Sequence, residues 1–186
     1  LMTVLLKLPK FLRPNSIQLL FEFTDPEKPS GAAFNNPKNS LDSSDMEANS
    51  TRWRKAEIPA ANGHGTARSL ARLYGALATG GSRDGVHVLT PETIELARQT
   101  ESDGKDLVLA QMHTRFGLGF MLGTEDVSMG PNKNSMGHGG AGGSLGFADP
   151  DNNISLGFTM NQMHAGITAW KTATDVADSV YKTLSI

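Results

Sequence analysis

Met136-Gly137-His138-Gly139-Gly140-Ala141-Gly142-Gly143-Ser144-Leu145-Gly146-Phe147 is the stretch on which the reading of this chain turns. Its six glycines let backbone come close to another group or adopt positive φ, and the run leads into a segment with strand character. Two readings stand. Either backbone amides are brought up to a ligand, or the glycines relieve crowding where strands and a helix pack. Spacing alone does not choose between them.

Downstream of that run the pattern is clear. Ser135 to Gly139, Ser144 to Ala148 and Ile154 to Met160 read as three successive strands. Asp149-Pro150-Asp151-Asn152-Asn153 joins the last two as an antiparallel hairpin, because Asx and Pro side chains favour turns. An amphipathic helix from Thr168 to Leu184, with Trp170, Ala173, Val176, Ala177, Val180, Tyr181 and Leu184, should cover one sheet face.

Upstream, Phe116 to Leu122 reads as one strand with glycines where neighbours crowd it, and Ser102 to Lys105 as a polar turn. Thr90 and Pro91 start a helix that runs to about Gln99, after a short extended piece at Val86 to Leu89 and a turn at Asp84-Gly85. Thr66 caps a helix from Ala67 to Thr79, with Leu70, Leu73, Tyr74 and Leu77 on one face and Gly80-Gly81 as its stop. Order begins at Trp53. Thr24 to Thr51, rich in Pro, Asn, Ser and Asp, reads as a long surface loop, and Met2 to Phe23 as one or two short helices broken by Pro9 and Pro14.

Composition narrows the classes. A chain of 186 residues can bury a core and fits one domain or a large part of one. With 17 basic and 19 acidic residues, net charge -2, nothing electrostatic points to nucleic acid or an anionic membrane. A small-molecule or protein partner is the expectation. The absence of cysteine excludes disulfides and thiolate nucleophiles. No apolar stretch is long enough to cross a bilayer and Leu1 to Leu12 lacks a signal-peptide cleavage site, so a soluble protein is expected, with the cytoplasm favoured and the compartment left open. Leu1 stands before Met2, which leaves the native beginning open.

Several motifs fail on context. Gly142-Gly143-Ser144-Leu145-Gly146 fits G-x-S-x-G, but a nucleophile elbow needs a strand-to-helix turn and an acid and histidine further on. Ser144 instead enters a strand. Ser102-Asp103-Gly104-Lys105 fits S-x-x-K, yet Asp103-Gly104 is turn chemistry rather than the start of a buried helix, so the match reads as chance. The histidines at 64, 87, 113, 138 and 164 show no paired ligand spacing, and no phosphate loop is present, so neither metal nor cofactor is expected. His64 and His138 differ from the others because each sits in a glycine turn, where a side chain can project into a cleft.

The order of pieces says more than any one motif. Asn62-Gly63-His64-Gly65-Thr66 leads into the Ala67-Arg68-Ser69-Leu70-Ala71-Arg72-Leu73-Tyr74 helix, then Leu89-Thr90-Pro91-Glu92-Thr93, Arg115-Phe116-Gly117-Leu118-Gly119-Phe120, His138-Gly139-Gly140, a hairpin and a closing helix. This resembles the C-terminal part of the serine β-lactamase and penicillin-binding-protein superfamily, specifically the class C β-lactamase-like esterases called family VIII. The resemblance implies an α+β fold, an α/β/α sandwich of the β-lactamase/transpeptidase type, of which residues 53–186 form the C-terminal part. Residues 1–52 would be a partial helical segment and surface loop.

It also implies a chemistry. In that family S-x-x-K supplies the nucleophile and its base, and a tyrosine in Y-x-N helps to move the proton. A third box, Lys-Thr-Gly or often His-Gly-Gly, lines the opposite wall. His138, Gly139 and Gly140 match that third box, and Ala141 falls where the edge strand gives a backbone N–H to the oxyanion hole. Asn62, His64 and Asn161 are weaker candidates for the cleft, and Asn161 reads equally as a polar strand end facing water. Neither tyrosine lies in Y-x-N: Tyr74 precedes Gly75-Ala76 and Tyr181 precedes Lys182-Thr183. The expectation is therefore the second half of a serine hydrolase for ester or amide-like substrates, without its nucleophile and inactive alone. Its partner would be the missing N-terminal half or a second copy. The rival is a non-catalytic binding or regulatory remnant that pairs with another chain.

Overall fold

The computed structural model describes residues 22–23, 25–34, 47–164 and 171–186. They fall into two compact units, Leu1–His64 with Asp106–Met112, and Gly65–Lys105 with His113–Ile186.

The first unit corrects part of the loop expected between Thr24 and Thr51. Helix α1, Pro29–Phe34, lies there, with a 3₁₀ turn at Glu47–Asn49, and α2 spans Thr51–Lys55. The polar residues that suggest a loop act as helix punctuation. Pro29 occupies the first helical position, where its fixed φ suits a helix and no N–H is missed. Ser50 accepts the Trp53 N–H at 3.0 Å and its hydroxyl donates to Glu47. Ser30, fully buried, donates to the Leu107 carbonyl at 3.1 Å. The helices expected between Met2 and Phe23 lie almost wholly outside the described residues.

The second unit is built on α3, Ala67–Ala78, and a six-stranded sheet. A two-stranded hairpin, β1 Ser82–Arg83 and β2 Val86–His87, turns at Asp84-Gly85, and α4 spans Pro91–Ala97. The sheet follows in chain order: β3 Ser102–Asp106, β4 Met112–Phe116, β5 Met121–Leu122, β6 Met136–Gly139, β7 Leu145–Asp149 and β8 Ile154–Phe158. From β4 to β8 each neighbouring pair is antiparallel. Helix α5, Lys171–Leu184, closes the chain, and the Thr168–Trp170 part of its expected span lies outside the described residues.

Two sequence expectations change here. Ser102–Lys105 is an edge strand, not a turn. Its polar residues face solvent on both sides, so no alternation marks it, and the pairing is held by β4 and a 2.6 Å contact between Asp103 and His113. The strand expected over Phe116–Leu122 is instead the end of β4, a turn and β5. Gly117 donates to the Phe120 carbonyl at 2.9 Å, and a Cβ at Gly117 would stand 2.0 Å from the Ala97 carbonyl oxygen of α4. The chain turns there because α4 passes too close for a side chain.

Strand alternation then gives the sheet two faces. Gly146 and Ala148 of β7 face α3. A Cβ at Gly146 would lie 2.3 Å from the Tyr74 ring, and one at Gly157 of β8 would lie 2.4 Å from the Ala67 carbonyl oxygen, so the helix lies directly on glycine backbone. Ser155 fixes it by donating to the Ala71 carbonyl at 2.9 Å. Tyr74, Leu77, Ala78, Ile94, Leu122, Met136 and Ala148 form this core. Leu145, Phe147 and Asp149 point the other way, where Ala173, Ala177 and Tyr181 of α5 are buried. The Tyr181 hydroxyl donates to Asp149 at 2.5 Å, tying α5 to that face. Helix, antiparallel sheet and helix are thus layered, as the expected sandwich requires.

Candidate active site

The glycine-rich run is a strand, a tight loop and a second strand. β6 pairs with β7 from Met136↔Ala148 to Gly139↔Leu145, and His138 stands opposite Gly146. On its other side β5 reaches only Gly137. From His138 onward that outer edge has no neighbouring strand among the described residues. The loop closes when Gly140 donates to the Ser144 carbonyl at 2.9 Å and Gly143 to the Gly140 carbonyl at 3.0 Å, and the His164 N–H braces it by donating to the Gly142 carbonyl at 3.0 Å. Among the described residues no acceptor takes the Ala141 N–H. Ala141 is half-buried, so the donor sits at a sheltered edge rather than in open water.

His138 is exposed and its Nδ1 lies 2.5 Å from the Gly139 carbonyl oxygen. A carbonyl only accepts, so Nδ1 carries a proton and Nε2 is the ring nitrogen left outside this bond. Its ring centroid is 6.2 Å from that of Phe116, which gives the imidazole one apolar side. Under the same strand, burial pushes the Tyr74 hydroxyl above its ordinary pKa, so that phenol stays neutral at pH 7. His138, Gly139, Gly140 and Ala141 therefore make a continuous edge with a hydrogen-bonding side chain and a free amide.

The other sequence candidates do not belong to β6 or its loop. Asn161 is exposed and borders a recess of about 390 Å³ with Gly143, Phe158, Thr159 and His164. Asn62 and His64 belong to the first unit. There Asn62 serves the turn after α2: its Oδ1 accepts the Ile58 N–H at 3.1 Å, and its Nδ2 donates to the carbonyls of Trp53, at 2.8 Å, and Ala56. His64 is exposed, with Nδ1 donating to the Asn62 carbonyl at 2.8 Å.

Among the described residues no nucleophile stands out. Ser144 precedes a strand, not a helix. Ser102 and Lys105 lie on the exposed edge strand β3. A second S-x-x-K match, Ser179-Val180-Tyr181-Lys182, goes unnoticed in the sequence reading above and lies on α5. Both its serine and its lysine are exposed, and the Ser179 hydroxyl donates to the Asp175 carbonyl one turn back at 2.7 Å rather than to Lys182. Among the described residues no group of three or more His, Asp or Glu is placed to hold a metal, and no helix is long and apolar enough to cross a membrane.

Helical layers on both faces of an antiparallel sheet, with His-Gly-Gly on a strand whose outer side β5 leaves partly open, fit the β-lactamase and penicillin-binding-protein fold, a scaffold for acyl transfer. The chain belongs to the beta-lactamase family, which it matches over residues 21–178. It is 39% identical over 109 residues to the esterase/beta-lactamase LipL of Mycobacterium tuberculosis (strain ATCC 25618 / H37Rv), a match covering 58% of this chain and 24% of that protein. A penicillin-binding-protein homolog from Caulobacter crescentus superposes with a TM-score of 0.68 at 38% identity, covering 75% of this chain and 37% of the other. A family VIII carboxylesterase gives 0.67 at 36% identity, covering 72% and 36%. The chain thus spans about a quarter to a little over a third of the length of these relatives.

Proposed function

We propose that this chain is the C-terminal portion of a serine hydrolase that transfers the acyl group of carboxylic esters, with weak β-lactam hydrolysis as a side activity, and that by itself it is inactive. The observation that carries this reading is the free edge at His138–Ala141, where the third box of the family falls and the Ala141 N–H is uncommitted. In the reaction a serine supplied by a further segment attacks the ester carbonyl as the lysine of its S-x-x-K box takes its proton; the ester C–O bond then breaks, the alcohol leaves with that proton, and water releases the acid from the serine. The carbonyl oxygen gains negative charge and the Ala141 N–H donates to it, a contribution that costs about a hundredfold or more in rate when such a donor is lost. His138, through Nε2, and the backbone of Gly139 and Gly140 line the wall that orients the acyl group. Asn161 lies further along, beside the loop, as a contact for the distal part of the substrate.

The partner in this reading is a polypeptide carrying the S-x-x-K and Y-x-N boxes. β8 favours it, since that strand ends the sheet with one strand neighbour among the described residues, an edge that another strand can extend. The test compares the chain alone with a chimera in which the preceding two thirds of a family VIII carboxylesterase is joined to it, using a short-chain p-nitrophenyl ester. The expected result is hydrolysis by the chimera only, abolished when the supplied serine becomes alanine and weakened in His138→Ala. Turnover by the chain alone refutes the missing nucleophile, and a folded but inert chimera refutes the hydrolase reading.

A further inference from the structure

Two rows back along the sheet from His138 lies a second concavity that no part of the proposed reaction uses. It opens on the register row of Arg115, Leu122 and Met136, between the C-terminal end of α4 and the loop that leads into β6. Its volume is about 320 Å³ and its walls carry Arg98, Thr100, Arg115, Lys133 and Asn134, with Glu95 at the rim. Three cations thus stand around this space with Glu95, while Asp151 pairs with Arg98 and accepts from Asn134.

The cations differ in how they are matched. Arg98 is held in place, donating to Glu95 at 2.9 Å and lying 3.6 Å from Asp151. Arg115 forms no ion pair among the described residues. Its Nη2 reaches only the Lys133 carbonyl, at 3.4 Å, and its Nε is shielded from water with no acceptor. A guanidinium in this state keeps donors that a protein interior normally satisfies. Lys133 is exposed and likewise forms no ion pair among the described residues. Two cations without counter-charge therefore stand beside the same cleft, one fixed in a strand and one on a loop. Thr100 adds a hydroxyl, and the Asn134 amide in the same wall is held by Asp151 at 2.7 Å.

We propose that this cleft binds a doubly charged oxyanion of the phosphate class, as the free ion or as a phosphomonoester. Arg115 presents a planar donor fork, the geometry that suits a tetrahedral or planar oxyanion, and Lys133 contributes a point charge. The double charge matches the two unmatched cations, whereas a single carboxylate would leave one of them alone. The inference is independent of the esterase reading, because the site lies off the His138 edge and is measured without turnover.

The test is a titration of the 186-residue chain with inorganic phosphate at constant ionic strength, followed by calorimetry and by backbone amide NMR shifts, with methyl phosphate and acetate as parallel ligands. The expected result is saturable binding of phosphate and methyl phosphate, with shifts concentrated on residues 98–100, 115 and 133–134, and weaker binding of acetate. Methyl phosphate binding as well as phosphate identifies a monoester site; binding of phosphate alone identifies a free-anion site. Lys133→Gln should weaken binding about tenfold, the usual consequence of losing one charge-assisted contact, while Lys105→Gln on β3 leaves it unchanged. Lys133 is on the surface, so its variant keeps the fold even where Arg115→Gln does not. Failure to saturate, or affinity that is the same in Lys133→Gln as in the parent chain, overturns the proposal.

Discussion

Replacing Tyr181 by phenylalanine isolates the contact that ties α5 to the sheet. Asp149 is fully buried and its carboxylate accepts from the Tyr181 hydroxyl at 2.5 Å, Asn132 Nδ2 at 2.7 Å, Asn152 Nδ2 at 2.8 Å and the N–H groups of Asp151 and Asn152 at 3.1 and 3.3 Å. No cation is among these partners, so directed dipoles alone hold the charge. Phenylalanine fills the same space and removes one hydrogen bond to a charged group, an interaction of about 1.5–3 kcal/mol. Four donors remain on the carboxylate, which places the loss near 2 kcal/mol. With a urea dependence of about 2 kcal/mol per molar, the unfolding midpoint falls by about 1 M. Asp149→Ala leaves five donors without an acceptor and should cost at least about 4 kcal/mol.

The pH dependence gives the same contact a second signature. Burial, and then the Asp149 carboxylate, push the Tyr181 hydroxyl above its ordinary pKa of 10.0, and burial raises Tyr74 as well. Above pH 10 the unfolded chain loses these protons while the folded chain keeps them. Stability is therefore full below that pH and falls above it, by about 1.4 kcal/mol per pH unit for each such proton. Tyr181→Phe removes one of the two contributions and should make the alkaline decline shallower. Urea unfolding at pH 7 and between pH 9.5 and 11, followed by far-UV circular dichroism, reads both effects. An unchanged midpoint together with an unchanged alkaline slope would refute the argument.

Three further outcomes follow from the packing. Gly157→Ala drives a methyl against α3 backbone while Gly146→Ala meets only the Tyr74 ring, so the first should cost about 3 kcal/mol or more and the second about 1–2 kcal/mol, read from denaturant midpoints. Thr66→Ala removes the side chain that accepts the Ser69 N–H at 3.2 Å and should lower stability by about 1 kcal/mol, whereas Thr66→Ser restores it. Asn132 and Asn134 donate to Asp151 and, with Arg98 nearby, hold its pKa below the ordinary 3.8. Its contribution is present above that pH and lost as pH falls below it, so Asp151→Asn should flatten the acid limb of a stability–pH curve in that range.

What could be read from the chain and what could not divides along one line. Features settled by local chemistry were legible: the Thr66 and Thr90 caps and the Asp149–Asn153 turn stand where side chains bond to backbone a few residues away, Pro91 heads α4 through its fixed φ, and Asp84-Gly85 turns at positive φ. β3 was not, because a strand with both faces in water needs no alternation and is defined only by its neighbour. The break after Phe116 was hidden for a related reason, since it depends on the Ala97 carbonyl of α4, twenty residues back. Asp149 shows the limit most clearly. In sequence it opens a turn and belongs at the surface; in the fold the same carboxylate turns inward, caps the β7–β8 loop and receives Tyr181 from α5.

The glycine-rich run joins the two kinds of information. Its two readings, backbone brought close to a ligand or glycines that relieve crowding, apply to different residues of one stretch. Gly146 is a packing residue beneath Tyr74, while the backbone from His138 to Ala141 leaves the sheet with an edge that β5 is too short to cover. The first makes the second possible. A side chain at Gly146 would press on the Tyr74 ring of α3, directly beside the strand that carries His138 opposite. The helix under the sheet thus holds the free edge at its height, and substitutions at the packing glycines should reach the site through that contact before they unfold the chain.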